Sequence, residues 1–450
     1  MLIKVSVENF KSFDQLTELT MVSSSKIQSF EDHKIKIKGT TLLKNAVVYG
    51  ANASGKSNLI EFFSFFKSCL TDGMPIDYSR YFCKIKKENE TRESSFEIQF
   101  SVNGAIYAYG FSAILSQRQI TAEWLYELHA TTEPKLLFER DKMGVINVAG
   151  LKLPSAERIR MQTYMEDFDG NTSILFLSEM NRNKKFAEKS KLIVFKKVYS
   201  WLQNNIIVFK PNDPITNFEY YYDHESLEQI NNLIETFDTG ITDVRIEEIS
   251  IEELKHHLPQ EVFTEIMSRL KQRLTEAPDA HHRMSMRSET SFFSIEVAEN
   301  EEPRITTIRS HHGKSFFDFA FEDESDGTRR LFDLLDMLLI KNEDIVFVVD
   351  ELERSLHPKL TQHFLKMFSN RHAKRQIQLL FTTHEASIMD QDMFRRDEIW
   401  FVERSADNVS SIYSLDRFKE RYDKVLSKAY LDGRYGAIPV FSSFAFGEEE

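Results

Sequence analysis

The sequence predicts an α/β fold: a mixed sheet with an antiparallel β meander, interrupted by an inserted helical lobe. Three observations carry this expectation. The apolar run LLKNAVVY leads into a glycine-bearing loop and then into KSNLIEFFSFFKSCL, where Leu59, Ile60, Phe63 and Phe66 recur at helical spacing. Alternating apolar and polar residues flank Asn103-Gly104, the strongest short hairpin signal. From Gly327 onward, helix and strand patterns alternate through DIVFVVD, PKLTQHFLKMF, QIQLLFTT and EIWFVER.

Taken in order, LIKVSVENF and LTELTM alternate as edge strands do and lead into a buried strand ending at Tyr49. After the loop and helix, the hairpin SFEIQFSVNGAIYAYGFSAIL opens a meander that continues to about residue 150. From about residue 155 the pattern turns helical, in KFAEKSKLIVFKKVYSWL, SLEQINNLIETF and EVFTEIMSRLKQRL. No heptad is sustained, so no coiled-coil arm is expected. The stretch EAPDAHHRMSMRSET reads as a linker, after which SFFSIEVA, PRITTIRS and SFFDFAFED restore period two. Three regions result: an N-terminal lobe over 1–150, a helical lobe over 151–290, and a C-terminal lobe over 291–450.

Composition bounds the function. With 41% apolar and 28% charged residues, 15 glycines and 10 prolines, the chain is neither disordered nor fibrous. No apolar run reaches the roughly 18 residues of a membrane span and the start has no signal-type apolar block, so a cytoplasmic protein without membrane contact is expected. The net charge of −13 argues against binding polyanions over the whole surface; any nucleic-acid contact must be a local basic patch. Cys69 and Cys83 have no metal-ligand spacing. The 37 phenylalanines point to a thick aromatic core.

The residues Gly50-Ala51-Asn52-Ala53-Ser54-Gly55-Lys56-Ser57 fit GxxxxGK[ST] without a mismatch, between a strand and a helix. Glycines let the backbone wrap a phosphate, Lys56 reaches the β and γ oxygens, and the Ser57 hydroxyl ligates Mg²⁺. The partner feature is a carboxylate at the end of an apolar strand, supplied by Asp350 for Mg²⁺ and Glu351 as general base for the attacking water. Lys56 and Asp350 stand 294 residues apart, so a large insertion interrupts one nucleotide-binding domain.

With Ser325-Asp326-Gly327-Thr328 opening a helix before Asp350 and Thr383-His384 closing the strand after it, the chain resembles the ATP-binding cassette (ABC) ATPases of the SMC, Rad50 and RecF kind. It resembles more closely the prokaryotic AAA15/AAA21 group of overcoming-lysogenisation-like and RloA/AbiLi-like ATPases. The marks are ENFKSF (Glu8 to Phe13), GANASGKSNL, SDGT, VVDELERSLHP (Val348 to Pro358), FTTHE and YLDGRYGAIP (Tyr430 to Pro439). The resemblance implies an ABC-type P-loop head that hydrolyses ATP with Mg²⁺, with Gly50, Asn52, Ala53, Ser54, Gly55, Lys56, Ser57 and Asn58 on the nucleotide. It implies that Ser325, Gly327 and Thr328 form a signature loop facing the γ-phosphate held by a second protomer. Arg354, Ser355 and Leu356 would be the D-loop, and His384 a catalytic switch histidine. Asn9, Lys11 and Ser12 would lie near the base or phosphates. The Q-loop glutamine has no unambiguous candidate, since Gln99 falls inside a strand and LFLSEMN at 175 to 181 holds no glutamine, and that role stays unassigned.

The expected partners are a second copy, as a homodimer or higher even oligomer, and a separate effector nuclease or toxin controlled in anti-phage abortive infection. Contact with DNA or a phage protein is a further expectation, and the stretch RNKKFAEKSKLIVFKK, with seven basic residues and one acid, is the DNA-facing candidate, against the commoner reading of such a run as a solvated helix face. Two other readings compete: a RecF/Rad50-like repair ATPase that binds DNA directly, and an autonomous nuclease. The 66 residues after His384 are too few for an appended Toprim domain. The pairs His256-His257, His281-His282 and His311-His312 read as surface histidines, since neighbours on a helix diverge by about 100°.

Overall fold

Short, nearly unbroken apolar runs form a parallel sheet, because strands covered on both faces have no polar side to alternate. The computed structural model describes residues 1–129, 132–211, 219–222, 224–276, 282–287, 292–298, 301–418 and 425–439. Five such runs lie parallel in the order Ile206–Phe209, Ile345–Val349, Ile377–Thr383, Asn45–Tyr49 and Ile399–Arg404. Ser410–Ser414 closes one edge antiparallel. Register pairs Val349 with Phe381 and Thr383 with Tyr49, so three strands end at one border. The loop after Tyr49, Asp350 after Val349 and His384 after Thr383 leave the sheet together, at the border where α/β sheets hold ligands.

The alternating segments form a second sheet of seven strands. Its antiparallel order is Ile146–Asn147, Lys135–Arg140, Gln119–Leu128, Ala105–Ile114, Ser94–Val102, Leu2–Glu8 and Thr17–Thr20. Gln378 ties it to the parallel sheet: its amide accepts from the Leu2 N–H at 2.7 Å and donates to the Leu2 and Leu43 carbonyls. The helix Lys56–Asp72 shares one apolar cluster with both sheets. Helical spacing singles out Phe63 and Phe66, but Phe62 and Phe65 are buried as well, because a helix covered on opposite sides needs apolar residues all round. Phe65 lies 4.8 Å from Phe96 and Phe66 5.4 Å from Phe111, ring centre to ring centre.

The N-terminal segment is locked by one carboxylate. Asp14 accepts hydrogen bonds from Lys86 and Asn89 at 2.8 Å and pairs with Arg92 at 3.0 Å. Burial disfavours its charge, but the donors Lys86, Gln15 and Asn89 and the Arg92 charge outweigh this and hold its pKa at about 2. A depressed carboxylate pKa stabilises the fold above the ordinary value of 3.8, and that contribution is lost as pH falls towards 2. Asp14→Ala should therefore cost roughly 2 kcal/mol at pH 7 and much less at pH 2. Urea unfolding of both proteins across that range checks it.

The chain divides into two units. One comprises Met1–Lys210, Asn342–Leu352 and His372–Glu450, and holds both sheets described above. The other comprises Pro211–Lys341 and Glu353–Arg371. This second unit has its own five-stranded sheet, ordered Ile241–Glu248, Arg304–His312, Phe292–Val297 and His282–Arg287, with Phe319–Ala320 beside Arg304–His312. Helices Ile251–His257 and Gln260–Glu276 bring Leu254, Ile266 and Leu270 into a core with Phe293, Ile295 and Ile305.

The divisions thus fall elsewhere than expected from the sequence. Residues 151–210 belong to the unit with the parallel sheet, and the stretch 291–450 is shared between the two. The second unit is a helix-and-sheet body rather than helical alone. Ile241–Glu248 and Ile206–Phe209 are strands that helical texture on both sides conceals. The linker expectation partly fails, since His282–Arg287 is a strand; Glu276 lies in a helix, and 277–281 and 288–290 lie outside the described residues.

Candidate functional site

The loop after Tyr49 is shaped by what its glycines permit. A Cβ at Gly50 would stand 2.4 Å from the Val402 carbonyl oxygen and 2.6 Å from Ser54 Oγ. Gly55 has φ +112°, and a Cβ there would meet Ser410 Oγ at 2.5 Å and Ser12 Oγ at 2.6 Å. Ala53 is left-handed too, at φ +59°. The helix Lys56–Asp72 begins without a side-chain cap, which leaves first-turn N–H groups available at its positive end. Ser54 Oγ is buried and has no hydrogen-bond partner among the described residues. An orphaned hydroxyl beside an uncapped helix start suits an anionic oxygen.

Lys56 is almost wholly buried, and its ammonium donates to the Gly50 carbonyl at 2.7 Å and the Ala51 carbonyl at 3.0 Å. Asn52, Ala53 and Ser57 face solvent, so the Ser57 hydroxyl is accessible to a cation. Asn58 donates to Ser12 Oγ at 2.8 Å, and Ser410 N–H to the Ser12 carbonyl at 2.8 Å. Ser12 and Ser410 brace the loop from two distant points of the chain. Ser410 belongs to no sequence motif and was not legible from the sequence.

Across the same border, Asp350 is buried, and its Oδ1 accepts the Thr382 hydroxyl at 2.5 Å. Glu351 adopts φ +48°, a strained conformation for a residue with a side chain, of the kind functional sites retain. Its N–H donates to the same Thr382 hydroxyl at 2.8 Å. One fully buried hydroxyl therefore orients the first carboxylate and holds the backbone of the second. Thr382→Val leaves both without this partner, and should cost about 1–3 kcal/mol while Thr382→Ser stays close to the parent. Equilibrium unfolding of the two variants decides.

His384 stands between the two halves of the site. Its Nδ1 is 3.3 Å from the Lys56 ammonium and its Nε2 is 3.6 Å from Glu351 Oε1. Burial first, then the Lys56 charge, press its pKa below the ordinary 6.5, against the pull of Glu351 and Asp350. The ring is thus neutral at pH 7; a lysine donor makes Nδ1 the acceptor and leaves the proton on Nε2, towards Glu351.

The remaining candidates lie in the second unit. Ser325 caps the helix Asp326–Leu339: its Oγ accepts from the Thr328 N–H at 3.1 Å and meets the Thr328 hydroxyl at 2.9 Å. A Cβ on Gly327 would fall 2.6 Å from the Ser355 carbonyl oxygen, and Ser355 itself has φ +62°. The SDGT turn and the Arg354-Ser355-Leu356 turn therefore meet backbone to backbone, which only glycine allows.

Other sequence candidates go elsewhere. Asn9 is a buried structural hub, donating to the Asn89 and Arg92 carbonyls and accepting from the Cys83 N–H. The Lys11 ammonium sits 3.2 Å from the centre of the Tyr81 ring. Gln99 donates to Glu97 within its strand. His257, His311 and His312 pair with Glu322, Asp318 and Glu324, while His281 lies outside the described residues. The basic stretch forms no single helix face, since the helix begins only at Ile193. Among the described residues no three His, Cys, Asp or Glu side chains group to hold a metal ion, and no helix is long and apolar enough to cross a membrane.

No curated protein matches the chain. Similar solved structures include the SmcHead bound to the C-winged helix domain of ScpA, at 14% identity and TM-score 0.41, covering 92% of this chain and 97% of that one. Another is the SMC head domain from Thermotoga maritima, at 14% identity and TM-score 0.33, covering 92% and 98%. The family model "AAA domain, putative AbiEii toxin, Type IV TA system" matches residues 46–144 and 199–390, a span that takes in the loop at Gly50, the acidic strand end and His384. More than half of the sequence is covered by that match, and the chain belongs to this family.

Proposed function

We propose that the protein is an ATP-hydrolysing switch that works as a dimer and governs a separate toxic or nucleolytic effector in defence against phage. The observation that carries the reading is the convergence of Lys56, Asp350, Glu351 and His384 at one border of the parallel sheet. The loop at Gly50 to Ser57 would grip the triphosphate through backbone N–H groups, the Ser54 hydroxyl and Lys56. Ser57 and Asp350 would hold Mg²⁺, whose role is to neutralise charge on the β and γ oxygens. Glu351 would take a proton from the attacking water, and neutral His384 would offer its Nε2–H near the γ-phosphate.

The second protomer would contribute Ser325, Gly327 and Thr328, small residues at a helix start, which can approach an anion closely. ATP would thus be the bond between two copies, and hydrolysis would loosen it. The family's description as a putative toxin of a type IV toxin–antitoxin system supports an effector connection, and the AAA15/RloA likeness of the closing YLDGRYGAIP supports the defence role. Sedimentation of the protein with and without ATP and Mg²⁺ tests the core of it. A shift from monomer to dimer when ATP and Mg²⁺ are added is the expected result; identical sedimentation in both conditions counts against it.

A further inference from the structure

The turn between Arg304–His312 and Phe319–Ala320 holds two aromatic rings in water. Phe316 is 97% exposed and Phe317 82%, although SFFDFAFED reads as a strand from its alternation. The tip is nevertheless fixed. Ser315 N–H donates to the His312 carbonyl at 2.9 Å and Ser315 Oγ to the Phe317 carbonyl at 2.8 Å. Asp318 anchors one side through His311 at 2.7 Å and Arg245 at 3.6 Å. Two phenylalanines held outward on a braced turn are not scattered surface residues but a small apolar knob.

The base of the knob leads directly to the SDGT turn. The His312 ring packs 4.7 Å from Phe319, and its Nε2 meets Glu324 Oε1 at 2.7 Å. Glu324 is buried, also accepts the Ser310 hydroxyl, and immediately precedes the helix cap Ser325. Knob and cap are thus joined by one carboxylate. Two phenylalanine side chains offer only about 300–500 Å². A stable interface needs on the order of 1,000 Å² or more, so the knob must be part of a wider contact. The contact continuous with it is the one proposed above for Ser325 to Thr328.

We propose that the Phe316–Phe317 knob seats on a second copy of this chain when ATP closes the dimer, and that Glu324 joins its seating to the position of Ser325. This rests on the dimeric reading above. In the ATP-loaded Glu351→Gln protein, the double change Phe316→Ser/Phe317→Ser should weaken dimerisation by roughly 30-fold or more, as loss of two buried rings implies, with monomer affinity for ATP unchanged. Phe316→Leu/Phe317→Leu should stay within a fewfold of the parent. Equal dimerisation by the serine variant overturns the inference and leaves the ATPase dimer standing. Failure of Glu351→Gln itself to dimerise with ATP overturns both. A second probe leaves the knob's apolar character intact: Trp emission from Phe316→Trp should shift to the blue on closure, and an unmoved spectrum contradicts the seating.

Discussion

Lys56→Ala should lose ATP affinity by roughly 30- to 150-fold, and ATP turnover with it. An ammonium within about 4 Å of a phosphate gains about 4 kcal/mol at an effective dielectric constant of 20. Part of this is offset, because the same ammonium already bonds the Gly50 and Ala51 carbonyls and must leave them. A net loss of about 2–3 kcal/mol corresponds to that range of affinity. Lys56→Arg should not rescue, since a planar guanidinium fits neither the two carbonyls nor the 3.3 Å approach to His384. Calorimetric titration with ATP and Mg²⁺ is the check. Parent-like binding by the alanine protein would remove the phosphate role of the loop.

Glu351→Gln should do the opposite to binding and stop the chemistry. The amide keeps the shape of the side chain and its backbone bond to Thr382, but it cannot accept a proton from water. Loss of a general base costs about 10²- to 10⁴-fold in rate. Affinity should hold or improve, because one negative charge near the triphosphate is gone. The ATP-bound dimer should then persist for as long as its protomers take to separate rather than as long as hydrolysis takes. Single-turnover release of phosphate, alongside sedimentation over hours, reads both. Hydrolysis at the parent rate would mean that the base lies elsewhere.

Much of this site is legible in the sequence because its motifs are local. The loop at Gly50 is announced by eight consecutive residues, Asp350 and Glu351 by the apolar strand before them, and His384 by the strand it ends. What the sequence conceals is contact between distant residues. Thr382 looks like one more strand threonine, and only the pairing of Ile345–Val349 with Ile377–Thr383 puts its hydroxyl between the Asp350 carboxylate and the Glu351 N–H. Ser410 gains meaning only from Gly55, and Asn9 is drawn away from the site by the Asn89 and Arg92 carbonyls. Phe316 and Phe317 mislead because alternation describes a face, and a turn held open by Ser315 and Asp318 has none. The strand Ile241–Glu248 fails for a related reason: its charged alternate residues resemble a polar helix face when helices flank it.

The neighbours of Asn45–Tyr49 in the parallel sheet are Ile377–Thr383 and Ile399–Arg404. At ribosomal speeds of about 5–20 residues per second, roughly 15 to 70 s separate emergence of the glycine turn from synthesis of its flanking strands. During that interval the nascent chain carries a four-phenylalanine helix that only the antiparallel strands can cover, leaving the side owed to the parallel sheet bare, a natural client for a holdase. A product truncated before Ile345 carries the glycine turn but lacks Asp350, Glu351 and His384, so it has one half of the site without the other.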